Sequence, residues 1–400
     1  MRMPKLSELS KEQKEICFAR SEGTCLVVGP PGTGKTVVAR FRADQLSEMK
    51  QPATLLMFNQ VLRSFTGDSE TFLTWLGRWW RSATGNNFPR IQVRREEDRR
   101  PQFIYDYAGA AENAKRIRQT NPDRLLRNGH WGHVILDEAQ DFHKSAHALL
   151  ALFQKVIFAE HKNPPSLMIL ADENQRIKDY NSTIDQIRNA HILVSEDIYY
   201  LKKNYRNTKE IAKVAAHFYV GLPSGKPELP ARSGDTPLLV RTKDLNECVE
   251  RIVKYATYND RHEIGVLVQA DPTRKKLYNK LKFRLGDKKV QTYTSKGDRQ
   301  NQLGPREMAD ALRFDEPAVT VLCFASSKGL EFDAVFLPEL QKLSVGADNN
   351  EKLRMELYVM CSRARTRLTM MVSEGDGDRD REAPVINLLP KPPLLKEEGE

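Results

Sequence analysis

Residues 29–36 read Gly-Pro-Pro-Gly-Thr-Gly-Lys-Thr, a complete G-x-x-x-x-G-K-[ST] pattern, and no other stretch narrows the folding choices of this chain as far. The pattern works in one setting, with a buried strand before it and a helix after it. Both are readable here, as the apolar run Cys25–Gly29 and the helix-like run Val37–Leu46. In that setting Gly29, Gly32, Thr33 and Gly34 let backbone N–H groups turn inward onto phosphate oxygens. Lys35 reaches the β and γ phosphates, the Thr36 hydroxyl ligates Mg²⁺, and the following helix adds the positive end of its dipole. The motif thus predicts a parallel α/β layer that binds a nucleoside triphosphate.

Further apolar runs continue that layer. Ala53–Phe58, His133–Leu136 and Leu167–Ala171 are short and closed by polar residues, as strands buried on both faces are. A second group, Ile264–Val268, Val319–Phe324 and Ala334–Leu337, repeats the rhythm with helical stretches between. Four hundred residues, 40% of them apolar, have room for both layers. Residues 67–127 differ, being rich in Arg and aromatics with a helix-like stretch at Tyr105–Arg118, and read as a small, mainly helical insertion. The expected division is a first α/β domain (1–66 and 128–200), the insertion (67–127), a second α/β domain (201–373) and a tail (374–400). The tail alternates acids, Gly and Pro, a composition that predicts disorder.

A phosphate loop only holds its ligand, so hydrolysis needs a second half-site. Asp137-Glu-Ala-Gln-Asp141 follows the apolar run Val134–Leu136, which puts acids at the end of a buried strand. Metal-assisted hydrolysis asks for one acid beside Mg²⁺ and one beside the attacking water, and Asp137 and Glu138 take these roles in order. The five cysteines are scattered without a C-x-x-C pair, which indicates neither a zinc site nor a disulfide framework and fits a reducing cytosol. No apolar run reaches the roughly 18–20 residues of a membrane span, so a cytoplasmic protein without a membrane partner is expected. Lys and Arg total 63 against 53 Asp and Glu, a net +10 that suits a polyanionic partner.

The motifs together, in their order, resemble superfamily 1 helicases of the UvrD/Rep/PcrA kind. Asp137–Asp141 (DEAQD) matches that group's acidic motif, and Leu9-Ser-Lys-Glu-Gln13 its Q motif, which implies that Gln13 reads adenine. Ala171–Ile177 resembles G-D-x-x-Q-x-I and implies a γ-phosphate sensor at Gln175. Asn204-Tyr-Arg-Asn207 resembles N-Y-R-S, implying adenine stacking by Tyr205 and a γ-phosphate contact by Arg206. Ser327–Asp333 resembles K-G-L-E-F-D, implying nucleotide contacts at Gly329 and a ribose contact at Glu331, with Ser326 and Lys328 facing nucleic acid. Leu357–Arg365 resembles L-Y-V-A-x-T-R-A and implies a second γ-phosphate arginine, Arg363. The resemblance spans about Leu6 to Ser373 and implies two tandem RecA-like P-loop domains with parallel sheets flanked by helices, Mg-ATP in the cleft between them, and 3′→5′ movement on single-stranded DNA or at a single-strand/duplex junction.

A strand track needs positive charge and aromatic faces. Thr71 and Phe72 match the group's T-F-H motif, and Trp75 and Trp79, four apart on one helical face, suit either base stacking or core packing. Tyr180 stands where relatives place a base-stacking Trp, Asn59 resembles a backbone contact, and Arg94, Arg95, Arg99 and Arg100 extend the groove or form a solvated face.

Three departures bear on coupling. The large domain that relatives insert between Gln291–Asp298 and Val319 is missing, Cys323-Phe-Ala325 replaces T-x-H, and Val37 replaces an adenine-packing Arg. Two readings follow: a DNA helicase or translocase, and a regulatory ATPase subunit of a repair, recombination or anti-phage complex that clamps DNA or gates a partner nuclease. A P-loop kinase leaves the paired arginines and DEAQD unexplained.

Overall fold

The computed structural model describes residues 4–51, 53–58, 61, 69–93, 102–176, 181–287, 289–297, 303–314, 316–346, 350–374 and 384–398. Asn59, Tyr180, Arg94, Arg95, Arg99 and Arg100 lie outside the described residues.

Two parallel sheets flanked by helices form the molecule. The first eight strands are β1 (Thr24–Val28), β2 (Ala53–Met57), β3 (Ser69–Thr71), β4 (Arg90–Val93), β5 (Gln102–Tyr105), β6 (His133–Leu136), β7 (Ser166–Ala171) and β8 (Ile198–Tyr200). Six of them make the first sheet in the order β3-β2-β6-β7-β1-β8, and β4 and β5 pair as a separate antiparallel hairpin. Every residue of β1 and of β7 is buried, which is why these runs lack the alternation of a half-exposed strand.

The second sheet runs β11-β12-β10-β13-β14-β9-β15. Its members are β9 (Leu238–Thr242), β10 (Ile264–Val268), β11 (Val290–Thr292), β12 (Val319–Cys323), β13 (Phe332–Leu337), β14 (Ala364–Ser373) and β15 (Lys396–Glu397). All its pairings are parallel, including that of the short β15 with β9. From β11 the chain reaches β12 with one short helix, Pro305–Asp310, between them among the described residues.

The described residues of segment 67–127 are an insertion built into the first domain: β3 pairs with β2, and helix Phe72–Thr84 buries Trp75, Trp79 and Trp80 in one cluster with Leu26, Val28 and Leu56 of the sheet. Trp75 and Trp79 stack on each other, and Trp79 Nε1 donates to Gly129 O at 2.9 Å. One expectation needs correction: the tail is not wholly disordered. Within 384–398, Val385, Leu389 and Leu395 are buried in the core that reaches the second sheet, and β15 extends that sheet. These apolar side chains recur among prolines and acids, so composition alone hid them.

Candidate nucleotide site between the two sheets

Sheet topology decides which loops can meet. β1 lies beside β7, and β7 beside β6, so the loops leaving their carboxyl ends open side by side. Those loops are the Gly29–Thr36 turn, Asp137–Asp141 and Asp172–Gln175. In the second sheet β13 and β14 are parallel neighbours with Phe332 opposite Ala364, which sets Glu331 and Arg363 together at their amino ends. A cavity of about 280 Å³ opens between the two groups, walled by Lys35, Thr36, Glu138 and Gln175 on one side and Tyr205, Arg206, Glu331 and Arg363 on the other.

The phosphate loop is held from both sides of the cleft. Gly32 and Gly34 take φ values of +82° and +87°, which side chains rarely adopt. A Cβ at Gly32 would meet Asn204 Oδ1 at 2.5 Å, and one at Gly34 would collide with the Gln13 amide. The Tyr205 backbone N–H donates to Gly32 O at 2.8 Å, so the Asn204–Asn207 turn is docked on the loop. Lys35 opens helix Lys35–Glu48, and its buried Nζ donates to Gly29 O at 2.6 Å and lies 3.8 Å from Asp172 Oδ2. Gln13 is engaged twice: Oε1 accepts from Ser10 N–H in a capping box, and Nε2 donates to Thr33 O at 3.1 Å. Its Nε2 props the loop, while the S-x-x-Q spacing announces only the capping box.

The two acids follow β6 directly, beside the phosphate loop. The Thr36 hydroxyl donates to Asp137 Oδ2 at 2.6 Å. Burial, then the neighbouring Glu138, pushes the Asp137 carboxyl up to about 6. Burial pulls Glu138 the same way, but Lys35 and Arg363 outweigh it and hold that carboxyl below its ordinary value. Glu138 has φ 51° and ψ 41°, a left-handed conformation that a non-glycine residue keeps only where its surroundings enforce it. Among the described residues no cluster of three or more His, Cys, Asp or Glu could hold a metal. Magnesium asks for no such cage, since it retains water and takes phosphate oxygens beside one or two protein ligands. Thr36, Asp137 and the glycine-lined loop fit a magnesium-bound nucleoside triphosphate.

The second sheet brings two guanidinium groups. Arg363 is 1% exposed, donates through Nη1 to Leu330 O at 3.1 Å, and through Nη2 to Gln175 Oε1 across the cleft. Burial and then the like charge of Arg206 lower its pKa to about 10, which leaves it a cation at neutral pH. Arg206 Nε donates to Glu331 Oε2 at 2.7 Å, and Arg365 reaches Glu331 Oε1 at 3.4 Å. Glu331 is therefore the common counter-ion of two arginines. Asn207 Nδ2 donates to Ser362 O at 3.1 Å and Ala364 O at 2.5 Å, fastening the same turn that docks on Gly32.

The structure thus gathers Gln13, Gly32, Gly34, Lys35, Thr36, Glu138, Gln175, Tyr205, Arg206, Gly329, Glu331 and Arg363 around one cavity, with Asp137 behind Thr36 and Thr33 in the loop turned onto Pro30 O. The residues assigned to nucleic acid do not gather. Phe72 and Trp75 are buried in the aromatic core, with Phe72 stacked 4.5 Å from Phe142, so neither offers a face to a base. Thr71 is buried and hydrogen-bonded to Thr74. Lys328 is buried too, its Nζ donating to Asp141 Oδ1 at 2.7 Å, so its charge joins the two domains. Ser326 is half-buried. A larger cavity of about 780 Å³, lined by Arg274, Lys275, Tyr278, Lys282 and Lys296, lies in the second domain away from the phosphate loop.

Sequence reasoning missed Asp172 and Gln140, both fully buried. Asp172 accepts from Gln175 Nε2 at 2.9 Å, and Gln140 Nε2 donates to Glu138 Oε2 at 2.7 Å. Both stand inside quoted motifs, so the signal was present as two polar residues at the ends of apolar strands. Among the described residues no helix is long and apolar enough to cross a membrane.

Comparison with known proteins agrees with the first half of this site. A family model described as an AAA domain matches residues 19–177, which include the phosphate loop, both acids and Gln175. The RecBCD enzyme subunit RecB of Chlamydia pneumoniae is 34% identical over 73 residues, 18% of this chain and only 7% of that subunit. The C-terminal domain of a possible DNA helicase from Lactobacillus plantarum WCFS1 aligns over 48% of this chain and 98% of its own, at 24% identity and a TM-score of 0.33. Residues 19–177 thus match the AAA-domain model, and the fold joins that parallel α/β domain to a second one.

Proposed function

We propose that the protein is an ATP hydrolase of the superfamily 1 UvrD/Rep/PcrA-like type that translocates along single-stranded DNA, 3′→5′. The observation that carries this reading is the two-sided cleft, in which Arg363 of the second domain donates to Gln175 of the first beside Lys35 and Glu138. Phosphoryl transfer is driven by positioning and by positive charge where the equatorial oxygens collect it, and Lys35, Arg206 and Arg363 converge to supply that charge. Thr36 and Asp137 would hold a magnesium ion, which would supply charge neutralisation for the phosphates. Glu138, kept ionised beside Lys35 and Arg363, orients the attacking water and takes its proton. Binding energy from both walls pulls the domains together, and loss of the γ-phosphate releases them.

ATP turnover with and without single-stranded DNA tests the reading. Strong stimulation is expected, and turnover indifferent to DNA would sink the translocase. A specific observation favours the second reading, a regulatory ATPase subunit: Phe72, Trp75 and Lys328 are all occupied inside the protein, and among the described residues β11 passes to β12 with one short helix between them. The 73-residue likeness to a subunit of the RecBCD enzyme supports a partner as well. Strand displacement by the chain alone separates the two readings.

A further inference from the structure

Four successive hydrogen bonds connect the second sheet to the acid at the end of β6. Arg363 Nη2 donates to Gln175 Oε1, and Gln175 Nε2 donates to Asp172 Oδ2 at 2.9 Å. The Asp172 backbone N–H donates to Gln140 Oε1 at 3.0 Å, and Gln140 Nε2 donates to Glu138 Oε2 at 2.7 Å. Every side chain in the series is at least 95% buried, so water does not compete for its geometry.

Gln140 is the link that joins two strands' ends. Its carboxamide accepts from the loop after β7 with one end and donates to a carboxylate with the other, a double use that needs both an acceptor and an N–H donor on one uncharged group. Its main chain is anchored independently, with Ser182 N–H donating to Gln140 O at 2.8 Å. Glu138 sits in a left-handed turn where no regular helix orients its side chain, so its direction is set from outside.

We propose that Gln140 is a positioning residue that fixes the Glu138 carboxylate in the cleft and ties its orientation, through Asp172 and Gln175, to Arg363 of the second domain. The proposal rests on the reading of Glu138 as the group that activates water. Contact with Arg363 then reaches Glu138 as well as the nucleotide. The acid is aimed when the domains meet and loosened when they part.

The test uses the full chain. Gln140→Met removes both hydrogen bonds while keeping length and packing, and should lower kcat about 100-fold, the cost of misplacing a reacting group by about 1 Å. The Kd for a fluorescent ATP analogue should stay within about threefold, because Gln140 is not expected to touch nucleotide. A kcat within about threefold of wild type would overturn the proposal. Should Gln140→Met not fold, Gln140→Asn decides, since it is one methylene too short to span both partners, and wild-type turnover in it overturns the proposal equally. Added to Gln175→Met, Gln140→Met should cost less than about threefold more, and a full additional loss would show that the two act separately. Glu138→Gln distinguishes the two levels. Wild-type turnover there would remove Glu138 from the chemistry, whereas a dead Glu138→Gln beside an active Gln140→Met would refute the relay alone.

Discussion

Replacing Arg363 by methionine separates what its guanidinium does for folding from what it does for turnover. The side chain is 1% exposed and holds two acceptors, Leu330 O at 3.1 Å and Gln175 Oε1. Each left unsatisfied in a buried site costs about 1–3 kcal/mol. Relief from the like charge of Arg206 offsets part of that, so a stability loss of roughly 2–5 kcal/mol is expected. Turnover should suffer more. An arginine aimed at a transferring phosphoryl group is worth about 10³–10⁵ in kcat, which corresponds to about 4–7 kcal/mol in the barrier. The assay is steady-state ATP hydrolysis at saturating ATP, with single-stranded DNA present, on protein shown to be folded by its melting transition. Arg363→Lys is the sharper companion, because lysine keeps the charge but cannot span both acceptors, and it should recover little. A folded Arg363→Met within tenfold of wild type, or full recovery by lysine, would refute the argument that a two-pronged guanidinium is required here.

Other perturbations test the frame around the site. Trp79→Ala removes a ring stacked 5.2 Å from Trp75 and set edge-on 4.6 Å from Phe153; it should cost about 3–5 kcal/mol in denaturant unfolding, and a loss below about 1 would contradict its core placement. His147 is fully buried against Ala139 O and His191, and burial pushes its pKa down to about 4. The unfolded chain binds this proton near pH 6.5, so the folded state is unpenalised above that pH and loses roughly 3 kcal/mol as pH falls toward 4. Melting curves at pH 7.5 and 5 should show this acid loss, and His147→Gln should reduce it. Truncation after Glu374 strips Val385, Leu389 and Leu395 from the core that reaches the second sheet, and should lower the melting temperature by several degrees; an unchanged transition would mean the segment adds nothing.

What could be read from the chain, and what could not, follows from where each residue finds its partner. The phosphate loop and the acids after β6 are legible because phosphate and metal binding admit few residue types at each position, and the arginine before β14 is legible through the resemblance of its motif. The strand core of the first domain is legible because both faces of β1 and β7 are buried, leaving continuous apolar runs. Lys328 misled because its partner Asp141 lies 187 positions away, and no local pattern announces an ion pair across domains. Helix Phe72–Thr84 misled because a tryptophan pair on one face serves base stacking and core packing equally well. Trp131 and Phe153 decide for the core, and both come from later in the chain. β14 went unseen because Arg365–Arg367 near its start are polar while the rest are buried between β13 and β9.

The charge arrangement gives a physical reason for a nucleotide to govern the contact between domains. Lys35 stands on one wall, Arg206 and Arg363 on the other, and burial and then the like charge of Arg206 lower the pKa of Arg363. Their protein counter-charges are divided: Glu331 is shared by Arg206 and Arg365, Glu138 by Lys35 and Arg363, and Asp172 is also engaged by Lys35 and Gln175. Like charges brought together in a partly dry cleft repel more strongly than they do in water. On the proposed reading, a triphosphate supplies the missing negative charge between the walls and turns that repulsion into attraction, and loss of the γ-phosphate withdraws it. The same positive cluster that speeds phosphoryl transfer therefore resists closure without its ligand. Closure energy and catalytic energy then come from one set of residues, so a substitution at Arg206 or Arg363 should weaken nucleotide-driven closure and turnover together.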